Sequence, residues 1–257
     1  MSVATIQVLG SGTSTGVPTV GKAYPEEYLA NPKNHRLRAS IVVRGPTGNL
    51  LVDCTPDMRT QLLRAGIMDV EAVLITHTHA DHIMGMDDLR AFCLKYRRPL
   101  AVYTLPEHAE TIRRVYPYMF QDFPEGILVP RIDLRLVPTV LNVGGVDIET
   151  MVVDHGCMNC IAIKVGGFAY VTDVKTVPDT VIPRLMSLDT LVLDAVRYRA
   201  HPNHLDYYSA LELVERLKPR RTYFTHLCDD YDHDVTNAAL PPGVELAYDG
   251  LEIEVES

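Results

Sequence analysis

Thr76-His77-Thr78-His79-Ala80-Asp81-His82 brings four potential metal donors into six residues, directly after the apolar run Ala72-Val73-Leu74-Ile75. In an extended segment, residues two apart leave the chain on one side, so His77 and His79 face together. Asp81 and His82 fall on the first turn of a following helix and point elsewhere. That arrangement suits two cations side by side, the first pair reaching one and the second pair its neighbour. A merely solvated loop after a buried strand does not need this density of imidazole and carboxylate. Further donors stand in comparable places: Asp154-His155, Thr172-Asp173 and Thr225-His226 each follow a predicted strand. Donors just past strand carboxyl ends converge along one sheet edge although they are distant in sequence. Singly, His155 could be a core-edge histidine, Asp173 a helix cap and His226 a satisfied buried imidazole. As a set beside the first motif they read as ligands.

Turn residues and periodicity define the elements that must position these side chains. Thr5 to Leu9, Ser40 to Arg44 and Asn49 to Asp53 read as strands separated by Gly/Pro turns. A helix is expected over Asp57 to Ala65, ended by Gly66, and a buried strand over Ala72 to Ile75. His82 to Leu94 has a helical pattern through Ile83, Met86, Leu89 and Cys93. A strand at Leu100 to Tyr103 and a helix from Pro106 to about Tyr116 follow. The second half gives strands at Asp133 to Val137, Val146 to Val153, Cys160 to Val165 and Phe168 to Thr172. It continues with a helix at Pro178 to Met186, a strand at Thr190 to Asp194, a helix at Tyr207 to Leu217 and a strand at Arg221 to Thr225. Short strands at Val244 to Ala247 and Leu251 to Val255 close the pattern. Two halves, each with strands first and helices later, predict an α/β fold, a four-layer αββα sandwich of two sheets packed face to face. Residues 1–257 are expected to form one domain, since no Ser/Gly-rich linker interrupts them.

Composition bounds the partners. With 47% hydrophobic and 22% charged residues the chain can bury a large core. Its 33 acidic against 24 basic side chains give a net charge of −9. That repels a polyphosphate unless bound cations or a basic patch reverse the field locally, so long nucleic acid is disfavoured. No cationic leader or apolar span stands out, and five cysteines are an odd number. Together they predict a cytoplasmic chain with reduced thiols and no membrane association. A homodimer is left open.

His77, His79, Asp81, His82, His155, Asp173 and His226, in that order, resemble the metallo-β-lactamase-fold hydrolase superfamily over nearly the whole chain. Within it the sequence is similar to the PhnP-like cyclic phosphodiesterases of the carbon–phosphorus lyase pathway. Leu9-Gly10-Ser11-Gly12-Thr13-Ser14-Thr15-Gly16-Val17-Pro18, Pro202-Asn203-His204-Leu205-Asp206, Leu240-Pro241-Pro242-Gly243 and Tyr248-Asp249-Gly250 carry that likeness. The resemblance implies that His77, His79 and His155 hold one divalent ion and Asp81, His82 and His226 a second, with Asp173 bridging. A shared hydroxide would be the nucleophile. Zinc or manganese is expected, with iron also compatible with mixed His/Asp ligation. His204 would be the general acid, a task suited to imidazole with its ordinary pKa of about 6.5. Asp81 is the second catalytic candidate, doubling as a ligand.

The sequence also departs from that pattern. Relatives carry an accessory zinc site whose cysteines follow Gly-Val-Pro, whereas Thr19-Val20-Gly21-Lys22-Ala23-Tyr24 contains none, and Asp229 stands where a further histidine belongs. The accessory zinc is therefore expected to be missing. The expected activity is hydrolysis of a small, cyclic, nucleotide-like or ribosyl phosphodiester. The alternatives are tRNA 3′ processing, or thioester or lactam hydrolysis. Cys157-Met158-Asn159-Cys160 is a lone C-x-x-C and weak evidence of redox chemistry. Gly10 to Gly16 lacks the Gly-Lys-Ser/Thr ending of a phosphate loop and reads as a tight turn near the metals. Lys95 to Arg98, Arg113-Arg114, Arg36 and Arg38 read mainly as solvated basic residues, with substrate phosphate as the alternative.

Overall fold

The computed structural model describes residues 3–124 and 126–256. Among the described residues, fourteen strands form two seven-stranded sheets. In chain order the first sheet holds β1 (Val3–Gly10), β2 (Ser40–Arg44), β3 (Asn49–Val52), β4 (Ala72–Leu74), β5 (Leu100–Thr104) and β6 (Ile132–Leu136), with β14 (Glu252–Glu256) against β1. The second holds β7 (Val140–Val143), β8 (Val146–Asp154), β9 (Asn159–Val165), β10 (Phe168–Val171), β11 (Thr190–Asp194), β12 (Arg221–Thr225) and β13 (Val244–Leu246). In each sheet early pairs are antiparallel and later pairs parallel: β1/β2 and β2/β3 precede β3/β4 and β4/β5, while β8/β9 and β9/β10 precede β10/β11 and β11/β12.

Strand alternation sorts the apolar residues into layers. Ile6, Val8, Ile41, Val43 and Leu74 face Ile148, Ile161, Ile163, Tyr170 and Val192 between the sheets. The opposite faces of the same strands, Val42, Leu51 and Val73, pack under helices α2 (Met58–Arg64), α4 (Arg90–Tyr96) and α5 (Pro106–Val115). Met151, Val153, Ala169 and Leu191 pack under α6 (Ile182–Leu185) and α7 (Tyr207–Leu217). The expected four-layer αββα sandwich is the observed architecture.

Differences from expectation have local causes. The helix predicted over His82 to Leu94 is split into α3 (Ala80–Ile83), a 3-10 turn at Met86–Leu89, and α4. His82 gives its carbonyl to Cys54 N at 2.8 Å, and Gly85 N donates to Cys54 O at 2.8 Å, so the backbone docks on the end of the first sheet instead of continuing the helix. Residues 179–181 are turn, leaving only Ile182–Leu185 of the helix predicted over Pro178 to Met186. Sequence reading did not anticipate β7, α1 (Glu26–Ala30) or α8 (His233–Ala239). The hairpin β7/β8 turns at Gly144 and Gly145, with φ of 63° and 80°, a conformation suited to glycine. Asp232 caps α8 by accepting Val235 N at 3.1 Å.

Candidate metal centre

Every donor predicted from sequence reaches one buried locality, and sheet topology explains why. β10, β11 and β12 are parallel, and β8 runs with them because two antiparallel pairings intervene. Their carboxyl ends therefore deliver His155, Asp173, Asp194 and His226 to one edge. β3 and β4, parallel in the other sheet, deliver Asp53 and the His77 segment. The sheets are stitched at this edge by Ile161 N donating to Thr76 O at 3.0 Å. Asp53, Asp173 and His226 all take positive φ, at 69°, 51° and 58°. Such backbone is costly for residues with a side chain, and its concentration here marks a site where the surroundings dictate geometry.

His77, His79 and His155 form one group. His79 Nδ1 lies 3.0 Å from His77 Nε2 and 3.1 Å from His155 Nε2. The outer nitrogens of the two flanking rings are already engaged: His155 Nδ1 is 2.8 Å from the Asn203 carbonyl, an acceptor, and His77 Nδ1 is 3.1 Å from Thr76 Oγ1. Thr76 Oγ1 in turn donates to Asp53 Oδ2 at 2.9 Å, so its lone pair receives the His77 proton. Both Nε2 atoms thus present lone pairs inward, as metal-binding imidazoles do when their other nitrogen is fixed.

Asp81, His82 and His226 form the second group. Asp81 Oδ2 is 3.3 Å from His82 Nε2 and 3.5 Å from His226 Nε2. Asp173 lies between the groups, with Oδ2 3.4 Å from His82 Nε2 and Oδ1 3.4 Å from His226 Nε2 and 3.8 Å from both His77 Nε2 and His155 Nε2. His82 Nε2 and His226 Nε2 are buried without a hydrogen-bond partner. Orphaned imidazole nitrogens facing two carboxylates, and three converging nitrogens beside them, fit divalent cations.

The charges agree with that fit. Burial opposes protonation of His82, but Asp173, Asp53 and Asp81 outweigh it and raise its pKa well above the ordinary value. His226 is likewise pushed up to about 9, against burial, by Asp173 and Asp81. Burial wins at His77, which is lowered well below its usual value, and at His155, lowered to about 4. The contrast follows carboxylate contact: His82 touches three, His77 and His155 only Asp173. Burial pushes the carboxyl groups of Asp173 and Asp81 up, yet their histidine neighbours hold both below the ordinary range as anions.

Two residues of the site were not singled out from sequence. Asp53 accepts His82 Nδ1–H at 2.8 Å and Thr76 N–H at 2.8 Å, fixing the tautomers of His82 and, through Thr76, of His77. Asp194 Oδ2 lies 2.8 Å from His204 Nδ1 and accepts Val174 N–H at 3.1 Å. Each is a lone acidic residue at a strand end, the same positional signal that singled out Asp173. His204 lies between the groups, edge-on to His155 with ring centroids 4.6 Å apart and stacked on His226 at 4.7 Å. With Nδ1 committed to Asp194, its free nitrogen is Nε2.

Other sequence features resolve as follows. The Gly10 to Gly16 turn pairs with the segment beside His226, Leu227 N donating to Ser11 O at 2.9 Å and Thr13 N to Leu227 O at 3.1 Å. Asp229 spends its carboxylate on Lys22 at 2.8 Å and on the Tyr24 hydroxyl, so an ion pair ties down the segment after Pro18. Cys160 is buried, with its thiol raised well above the ordinary value chiefly by burial; Cys157 is exposed, 3.8 Å from His79 Nε2. Arg36 is buried on the Tyr231 carbonyl at 2.9 Å and Arg38 pairs with Asp57 at 3.0 Å, both structural uses.

A family described as a beta-lactamase superfamily domain matches residues 48–227. The chain belongs to that superfamily. A solved diphosphatase from the PhnP family is 36% identical, superposes with a TM-score of 0.91 and is matched over 99% of this chain and 98% of its own, which places the chain in the PhnP family too. An octanoyltransferase of Porphyromonas gingivalis is 33% identical over 255 residues, 97% of this chain but 51% of that protein. A ribonuclease Z of Crocosphaera subtropica is 30% identical over 120 residues, 45% of this chain and 35% of that protein. The chain thus spans about half the length of the first of these relatives and about a third of the second. The superfamily and the solved PhnP-family neighbour are metal-dependent hydrolases. No helix among the described residues is long and apolar enough to cross a membrane.

Proposed function

We infer that the protein is a binuclear metal-dependent phosphodiesterase acting on a small, cyclic, nucleotide-like or ribosyl phosphodiester. The observation that carries this reading is Asp173, one carboxylate facing both histidine groups, with the Asp194–His204 pair beside it. On this reading His77, His79 and His155 hold one divalent ion and Asp81, His82 and His226 the other, and Asp173 is shared. Zinc, manganese or iron held there would supply Lewis acidity toward a phosphate oxygen and an activated water.

The chain's own residues supply orientation and proton transfer. Asp53 and Asn203 hold the outer imidazole nitrogens so that lone pairs point inward. Asp194 keeps the His204 Nδ1 proton in place, which leaves Nε2 to carry and give up the proton that the departing alkoxide needs. Its carboxylate also fixes the orientation of the ring. Asp81 is an anion beside His82 and His226, suited to act as a ligand and to accept a hydrogen bond from attacking water.

The net charge of −9 disfavours a long RNA substrate, although ribonuclease Z relatives keep tRNA processing as the second reading. A cytoplasmic setting and a single domain over 1–257 belong to the same proposal, supported by five free cysteines and by an apolar layer shared between the sheets. A substrate panel tests it: cyclic and linear nucleotide phosphodiesters, a nucleoside diphosphate and a precursor tRNA, each with added metal. Turnover of a small phosphodiester at least tenfold above the others is expected. Preference for the diphosphate or the tRNA contradicts it.

A further inference from the structure

His204 stands on a short strap, residues 201–205, that is tied to His155 and to the loop after Asp173. Asn203 O accepts from His155 Nδ1, Leu205 N donates to Val174 O at 2.8 Å, and Val196 N donates to Leu205 O at 3.0 Å. The strap packs so closely on Gly156 that a Cβ there would lie 2.8 Å from Asn203 Oδ1 and 3.2 Å from the Pro202 carbonyl. One side chain reaches into this segment from the Asp173 loop. Lys175 Nζ donates to the His201 carbonyl at 2.7 Å and to the His204 carbonyl at 3.3 Å. Its own backbone is fixed, Lys175 N donating to Asp154 O at 2.7 Å next to His155.

We propose that Lys175 is a positioning residue for the general acid: its ammonium draws the carbonyls at the two ends of the 201–204 turn together and so aims the His204 ring. An ammonium carries three donors and no acceptor, so it can hold two carbonyls at once, and hydrogen bonds to a charged donor are stronger than neutral ones. The carbonyl gripped at 3.3 Å belongs to His204 itself, whose side chain must at the same time meet Asp194 at 2.8 Å. Without Lys175 two carbonyls lose their shared donor, and the turn keeps its backbone ties at Asn203 and Leu205 and the contact of the His204 ring with Asp194. This role rests on the phosphodiesterase reading, but the order it imposes on the strap does not.

The test compares Lys175→Met and Lys175→Arg with the wild-type chain. Amide hydrogen exchange at Leu205 is read beside that at Leu193 in the sheet, together with turnover of an alkyl phosphodiester and a nitrophenyl phosphodiester. Lys175→Met is expected to speed exchange at Leu205 about tenfold, with Leu193 and metal content unchanged. It should lower kcat for the alkyl ester about tenfold and leave the nitrophenyl ester within about twofold. Lys175→Arg, which keeps a charged donor, should restore much of both. Unchanged exchange at Leu205 overturns the proposal, as does an equal loss on both esters. If the wild-type chain hydrolyses neither ester, the phosphodiesterase reading fails and the exchange comparison alone decides whether Lys175 orders the strap.

Discussion

His204 occupies a position that ligation alone does not explain. Its Nδ1 is held by Asp194 at 2.8 Å and lies 3.9 Å from Asp173 Oδ1; His77, His79 and His155, and Asp81, His82 and His226, converge without it, although it also converges with His155 and Asp173 and with Asp194 and His226. If its role is to protonate the leaving oxygen, His204→Ala should lower turnover of an alkyl phosphodiester by about 10² to 10⁴, the usual range for general acid catalysis. A nitrophenyl ester, whose leaving group departs without a proton, should lose much less, and metal content should not change. Equal loss on both substrates, or loss of metal, would reassign the residue to phosphate positioning or ligation. At this scale sequence served best for residues that cluster. His77 to His82 declare themselves by density, and His155, Asp173 and His226 by following apolar strands. Asp53 and Asp194 were passed over because a lone aspartate ending a strand is ordinary, and only the 2.8 Å contacts to His82 and His204 show its use.

At the scale of elements, sequence periodicity found the strands well and misjudged where helices stop. Ile83, Met86, Leu89 and Cys93 are all buried as a helical face requires, yet the helix breaks between them. The cause is tertiary: Gly85 lies against the end of the first sheet, where an added Cβ would sit 2.0 Å from the Thr55 carbonyl oxygen. Gly85→Ala must therefore push apart the segments carrying Asp53 and His82. A stability loss toward the upper end of about 1–3 kcal/mol, typical of overpacking, should appear as a lower urea midpoint. A midpoint equal to wild type would show that the break at Gly85 has another origin. β7 was missed although its alternation and the Gly144-Gly145 turn were visible, because four residues at a sheet edge carry little apolar signal. α8 was missed because its sequence is polar and its only strong mark is the Asp232 cap.

For the molecule as a whole, buried imidazoles link stability to pH. His233, at the start of α8, is buried beside Tyr248, and burial together with Lys33 and Arg36 lowers its pKa to about 4. A histidine kept neutral in the fold contributes stability that is fully present above its unfolded value of about 6.5 and is lost as pH falls toward the folded value. Stability should therefore decline between about pH 6.5 and 4, and His233→Gln should show a shallower decline over that window in urea titrations. Parallel curves for the two proteins would remove His233 as a contributor. The catalytic side of the molecule rests on a different balance. A chain of net charge −9 gathers four of its carboxylates, Asp53, Asp81, Asp173 and Asp194, into one buried centre, and on the phosphodiesterase reading bound divalent cations would reverse the local field for an anionic substrate. Elemental analysis of the chain purified without chelator tests this most directly. Two divalent ions per chain in the wild type, falling to one or none in Asp173→Asn with the fold retained, is the result expected of a shared carboxylate. One ion or none in the wild type, with no further binding when metal is added, would contradict the binuclear centre.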